Sequence, residues 1–199
     1  MNGRRRVSGL NAFWGVLTPP EGGGNEHLAP PAPPYPMHFE HLVQINDPLM
    51  PLLDPLSRSQ LWRGLVRRAE EPTRFVLGLE HAKIDARRER AGTVELSRTL
   101  DFGSFRVNDR VLLTPMTGTV THVDACERFP ASRMTIRIEE PQPDMFYLRF
   151  IYEFDDGAAA NDADEIDAAT TVLRKQAYTT SDLDTVTCIR DLAEAGELG

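Results

Sequence analysis

The segment Thr93–Pro115, TVELSRTLDFGSFRVNDRVLLTP, constrains the fold more than any other part of the chain. Val94, Leu96, Leu100 and Phe102 share one parity, and Phe105, Val107, Val111 and Leu113 share the other. Alternation with period two gives each arm one apolar face, as in a strand with one buried side. Gly103-Ser104 separates the arms, and a two-residue loop opening on Gly suits the primed hairpin turns. With that loop, Phe102 stands opposite Phe105, Leu100 opposite Val107 and Arg98 opposite Asp109. Slipping by one residue would turn every side chain to the other face, so the apolar parity fixes the register. Two opposite charges therefore lie on a face that is otherwise apolar.

The rest of the chain extends the same sheet. His38–Asn46 alternates Phe39, His41, Val43 and Ile45 on one face, and Asn46-Asp47-Pro48 ends it. Ser57–Glu71 has helical spacing, with Leu61, Leu65 and Ala69 as a stripe flanked by Trp62 and Val66. Ser57 with Gln60 predicts a capping box, and Pro72 stops the helix. Phe75–Leu79 is expected to form a second small helix. Further strands are predicted over 80–89, 119–125, 133–140 and 145–154. The last of these puts Phe146, Leu148, Phe150, Tyr152 and Phe154 on one side, and Ile136 belongs to the apolar parity of its predecessor.

From Ala163 the pattern turns helical, through Ile166, Ala169, Leu173, Ala177, Leu183, Val186, Ile189 and Leu192. Thr179-Thr180-Ser181 leaves open one kinked helix or two in line, with Ser181 as a fresh N-cap. The expected fold is α+β: a strand, two short helices, six antiparallel strands and a long terminal helix gripped by a strongly curved seven-stranded sheet.

Residues 1–36 hold seven of the fifteen prolines and the run Gly22-Gly23-Gly24. Such a composition cannot bury enough apolar surface to fold, so a disordered or polyproline-like tail is expected before a domain spanning 37–199. Met37 stands where the patterned sequence begins and is the expected natural start. Arg4-Arg5-Arg6 before a short, broken apolar run makes a poor secretory signal, and a cytoplasmic location is expected.

Of the formal charge of −8, the segment from Glu153 onward carries twelve acidic and three basic residues. Such a surface repels phosphate backbones, so nucleic acid is not an expected partner. No stretch has eighteen consecutive apolar residues, so no membrane insertion is expected. Cys126 and Cys188 are isolated in sequence, and no disulfide framework, metal site or cofactor motif is expected.

Several segments resemble a known family. HFEHLVQIN, Leu56–Leu65, Phe75–Leu79, Val107–Val111 and Ser181–Val186 are similar to stretches of AtaL-like proteins, a branch of the START/Bet v 1-like (SRPBCC) superfamily. The resemblance covers about residues 37–196. It implies the helix-grip fold and a hydrophobic cavity between sheet and terminal helix. A carrier or sequestering protein for a small hydrophobic ligand is then expected, with a polyketide cyclase/aromatase-like enzyme as the alternative.

The candidate cavity residues are His41, Arg98, Asp109, Tyr152, Leu96, Leu100, Val107, Val111, Ile136 and Phe150. Arg98 held by Asp109 suits a ligand carboxylate or enolate, or else the two form a structural ion pair. His41 suits proton transfer, or else it is a hydrogen-bonded core residue. Tyr152 offers a hydroxyl to a ligand, or packs in the core with its tip at the edge.

Overall fold

A computed structural model describes residues 38–47, 53–126, 130–154 and 165–199, the side chains of the last segment from residue 172. The expected tail lies outside the described residues, as do Pro48, Pro51 and the loop expected over 156–162. The elements run β1 (His38–Gln44), α1 (Arg58–Glu70), β2 (His81–Arg90), β3 (Thr93–Asp101), β4 (Arg106–Thr114), β5 (Gly118–Val123), β6 (Ser132–Gln142), β7 (Met145–Phe154) and α2 (Glu165–Glu194). The seven strands form one antiparallel sheet in the order β1-β7-β6-β5-β4-β3-β2. Consecutive hairpins build β2 through β7, and β1 joins the far edge beside β7.

The hairpin register is as the parity required. Leu100 faces Val107, Arg98 faces Asp109 and Leu96 faces Val111. Phe102 N–H donates to the Phe105 carbonyl at 3.0 Å across the turn. Gly103 takes φ 77°, the left-handed conformation glycine accepts without steric cost. At Gly118, the first residue of β5, a Cβ would lie 2.0 Å from the Ile136 carbonyl oxygen, so only glycine lets β5 approach β6 there.

Helix α1 is capped as predicted. The Ser57 hydroxyl accepts from the Gln60 N–H, and the Gln60 side chain accepts from the Ser57 N–H. Its buried residues are Leu61, Gly64, Leu65 and Ala69. The second short helix is a single 3-10 turn at Pro72–Arg74, just ahead of the stretch where it was expected. Pro72 supplies the fixed φ that starts a turn, and Gly78 at φ 82° bends the chain away from helical geometry at once.

The terminal helix departs further from expectation. It runs unbroken from 165 to 194, through Thr179-Thr180-Ser181. Its phase also differs over residues 173–183. Leu173 and Leu183, expected on the packed side, are 59% and 48% exposed. Arg174, Tyr178, Asp182 and Thr185 are buried instead, followed by Val186, Ile189 and Leu192. The C-terminal half of α2 thus packs on apolar residues, and the preceding turns present polar ones inward.

The core divides accordingly into three apolar clusters. The largest joins β1, β6, β7, α1 and the end of α2 around Phe150, Leu148, Ile136, Leu61, Leu65 and Ile189. A second lies at the hairpin turn, around Leu100, Phe102, Val107 and Leu79. The third packs Leu96, Val111 and Leu113 under Ala69 of α1. Arg190 pins α2 to the chain beyond β1, donating to the carbonyls of Ile45 and, at 3.0 Å, Asp54.

Candidate functional site

Cross-strand register defines the inner face. One row runs Leu96, Val111, Thr121, Met134, Tyr152, Phe39, and the next runs Val94, Leu113, Thr119, Ile136, Phe150, His41. Side chains of one parity share a face, so His41 and Tyr152 in these rows, and the Arg98–Asp109 pair of the same parity, point to the side that α1 and α2 cover. Leu96, Leu100, Val107, Val111, Ile136 and Phe150 are all buried there.

Two polar groups occupy this interior. In the first, Asp182 projects from α2 to the β1/β7 side of the sheet and is 1% exposed. Tyr152 donates its hydroxyl to Asp182 Oδ1, and His41 Nδ1–H donates to Oδ2 at 3.0 Å. Burial pushes the Asp182 carboxyl up to about 6, against the opposing pull of Tyr152, His41 and Arg68. Tyr152 is driven well above the usual phenol range, first by burial and then by the adjacent carboxylate. Tyr178 stacks on Tyr152 with ring centroids 4.2 Å apart, and Phe39 lies 6.1 Å from each. Burial likewise raises the Tyr178 hydroxyl.

The second group is the hairpin pair. Arg98 Nε and Nη2 donate to Asp109 Oδ1 and Oδ2 at 2.8 and 2.5 Å, a two-pronged bond with both residues buried. Arg98 Nη1 donates to the Ala69 carbonyl at 2.6 Å, near the C-terminal end of α1, where unpaired carbonyls await a donor. All three guanidinium nitrogens of Arg98 are therefore engaged by the protein.

Arg68 belongs to the same interior and was absent from the sequence candidates. It is half-buried, and the charges of Arg98, Asp182 and Asp109 reach it. Its Nη2 approaches only the weak acceptor Met134 Sδ, at 3.9 Å, and its buried Nε has no acceptor among the described residues. Burial lowers its affinity for the proton, yet a guanidinium stays charged. Spacing held a signal for it, because Leu61, Leu65 and Arg68 follow the i, i+4, i+7 line of the helix's buried face. Asp182 was hidden by its apolar neighbour: choosing Leu183 for the packed side turns Asp182 away from it.

His41 and Arg98 do not converge on one point, since each is held by a separate carboxylate. His122 pairs in register with Arg110 and Arg133 on the outer face. Near it, a cleft of about 410 Å³ opens at one end of β4–β7, lined among others by Arg110, Val123, Ser132 and Phe154. Among the described residues no three His, Cys, Asp or Glu side chains group as metal ligands, and no helix is long and apolar enough to cross a membrane.

A curved antiparallel sheet closed by a long terminal helix, with polar residues facing inward between them, defines a helix-grip protein of the START/Bet v 1-like class. Solved structures share that fold. The ZhuI aromatase/cyclase from a Streptomyces species superposes with a TM-score of 0.54 at 14% identity, covering 80% of this chain and 94% of that one. The protein Ara h 8.0201 gives 0.53 at 11%, covering 81% of this chain and 99% of that one. The di-domain aromatase/cyclase StfQ of the steffimycin pathway gives 0.54 at 11%, covering 80% of this chain and 52% of that one. A search of curated proteins finds no match. Residues 43–196 match the AtaL family, described as "Acetylaranotin biosynthesis cluster protein L", and the chain belongs to that family.

Proposed function

We propose that the protein binds a small, mainly apolar organic molecule bearing oxygen substituents, in the interior between the sheet and α2, and acts as its carrier or sequestering protein. The observation that carries this reading is the inverted face of α2. Burying Arg174, Tyr178, Asp182 and Thr185 while Leu173 and Leu183 face solvent is unfavourable for stability alone. A polar inner face is useful where the helix covers a ligand. His41, Arg98, Asp109 and Tyr152 are the polar wall in this reading, and Leu96, Leu100, Val107, Val111, Ile136 and Phe150 the apolar one.

A second reading is an enzyme of the cyclase/aromatase type, as two of the structural relatives are named. It is favoured by one feature: a buried carboxyl near 6, bonded to an imidazole and a phenol, suits proton exchange close to neutral pH.

Native mass spectrometry of protein purified from its own host is expected to reveal a co-purifying small molecule, displaceable by an apolar dye. If nothing co-purifies and no apolar dye binds, the reading fails. Chemical conversion of the released molecule on return to the protein would select the enzyme instead.

A further inference from the structure

We propose that Arg68 is the anchor for an anionic oxygen of the bound molecule, so that the ligand is an apolar organic acid or enolate and not a neutral lipid. The inference rests on the interior binding proposed above and adds the chemical class of what is bound.

The acceptors of the interior are already committed. Asp109 takes both prongs of Arg98, and the Ala69 carbonyl takes its third nitrogen. Asp182 receives Tyr152 and His41 on its two oxygens. Arg68 is left with a thioether sulfur at 3.9 Å and, at Nε, no acceptor among the described residues. A guanidinium keeps its charge and its five N–H donors, so this one is left short of acceptors unless an incoming group supplies them.

Placement supports an incoming partner. Arg68 stands one turn beyond Leu65 on α1, with Met134 of β6 beside it and the Arg98–Asp109 pair and Asp182 on either side in charge contact. A carboxylate there gains charge-assisted hydrogen bonding from the guanidinium. It also keeps clear of a hydrogen bond with Asp182, whose oxygens already accept two donors. A neutral alcohol or sterol would offer the guanidinium a hydrogen bond without the charge that strengthens it. The arrangement resembles a preformed half of an ion pair, stability given up in the empty protein in exchange for selectivity.

The test uses two dyes of nearly the same shape, anilinonaphthalene sulfonate and the uncharged phenylnaphthylamine, titrated into the full-length protein by fluorescence. Wild-type protein is expected to bind the anionic dye about tenfold more tightly or better. Arg68→Met should remove about that factor for the anionic dye and leave the neutral dye within about twofold, and Arg68→Lys should restore part of the loss. The empty Arg68→Met protein should melt no lower than wild type, because Arg68 meets only a weak acceptor among the described residues. Equal weakening of both dyes, no weakening of either, or a lower melting temperature would make Arg68 a structural residue and overturn the inference. Binding of the neutral dye alone would overturn it and leave the carrier reading standing. Binding of neither dye would overturn both.

Discussion

Replacing Asp182 with Asn isolates the energetic consequence of burying one carboxyl beneath α2. In the unfolded chain this group titrates near 3.8, and in the folded protein burial pushes it up to about 6. The fold therefore prefers the protonated form. Its contribution to stability is full below about pH 3.8 and is lost as the pH rises through about 6, the order expected when the folded value lies above the unfolded one. The interval corresponds to about 3 kcal/mol at about 1.4 kcal/mol per pH unit. The groups facing Asp182 are His41 from β1, Tyr152 from β7, Arg68 from α1 and Tyr178 from α2 itself, and all four remain in the variant. Asn keeps the shape and an acceptor for the Tyr152 hydroxyl, but cannot ionise. Urea unfolding of both proteins across about pH 4 to about pH 8 gives the difference in stability directly. Asp182→Asn is expected to gain on wild type by up to about 3 kcal/mol over that range, with most of the gain between about pH 4 and about pH 6. A difference that stays flat would show that His41, Tyr152 and Arg68 fully offset the burial of the carboxylate, and one that moves in favour of wild type as the pH rises that they outweigh it; either refutes the reasoning.

Two further substitutions test the frame around the site. Arg98→Met strands a buried Asp109 carboxylate and should cost about 3–5 kcal/mol, whereas Arg98→Met with Asp109→Leu should recover most of that loss in thermal unfolding. Equal losses in the single and double variants would mean the pair matters for its shape and not its charge. Gly64→Ala would place a Cβ 2.7 Å from Ile189 Cγ1 and 2.8 Å from Cγ2, where α1 crosses α2. It should cost about 1–3 kcal/mol, part of it relieved by Ile189→Val; an unchanged melting temperature would show that the two helices can move apart.

How far the sequence discloses this molecule depends on whether side chains obey the packing rule. In the β3–β4 hairpin they do: the apolar parities and the Gly103-Ser104 loop together determine that Arg98 meets Asp109, as the register bears out. In α1 the stripe and the capping box follow the same logic. In α2 they do not. Apolar periodicity selects Leu173 and Leu183 for the packed face, whereas the helix turns Arg174, Tyr178 and Asp182 toward the sheet. A helix with a polar inner side defeats a method that seeks its apolar side. The His41–Asp182–Tyr152 cluster was half legible, since two of its members could be assigned to the inner face of strands. Their meeting with a third residue 141 positions from His41 is written in the tertiary fold and not in any local spacing.

The position of β1 has a kinetic consequence. Strands β2 through β7 can assemble by successive hairpins, each closing a short loop. β1 must instead find β7 across most of the chain, with Phe39 pairing to Tyr152. Contacts of such sequence separation form slowly and late. His41 arrives with that strand, and Asp182 arrives with α2, which follows all seven strands in chain order. The ionisable cluster therefore comes into being only when the two ends of the domain have met. A chain in which β1 has not paired with β7 lacks the His41–Asp182–Tyr152 contact, so the selective binding proposed above is tied to that pairing.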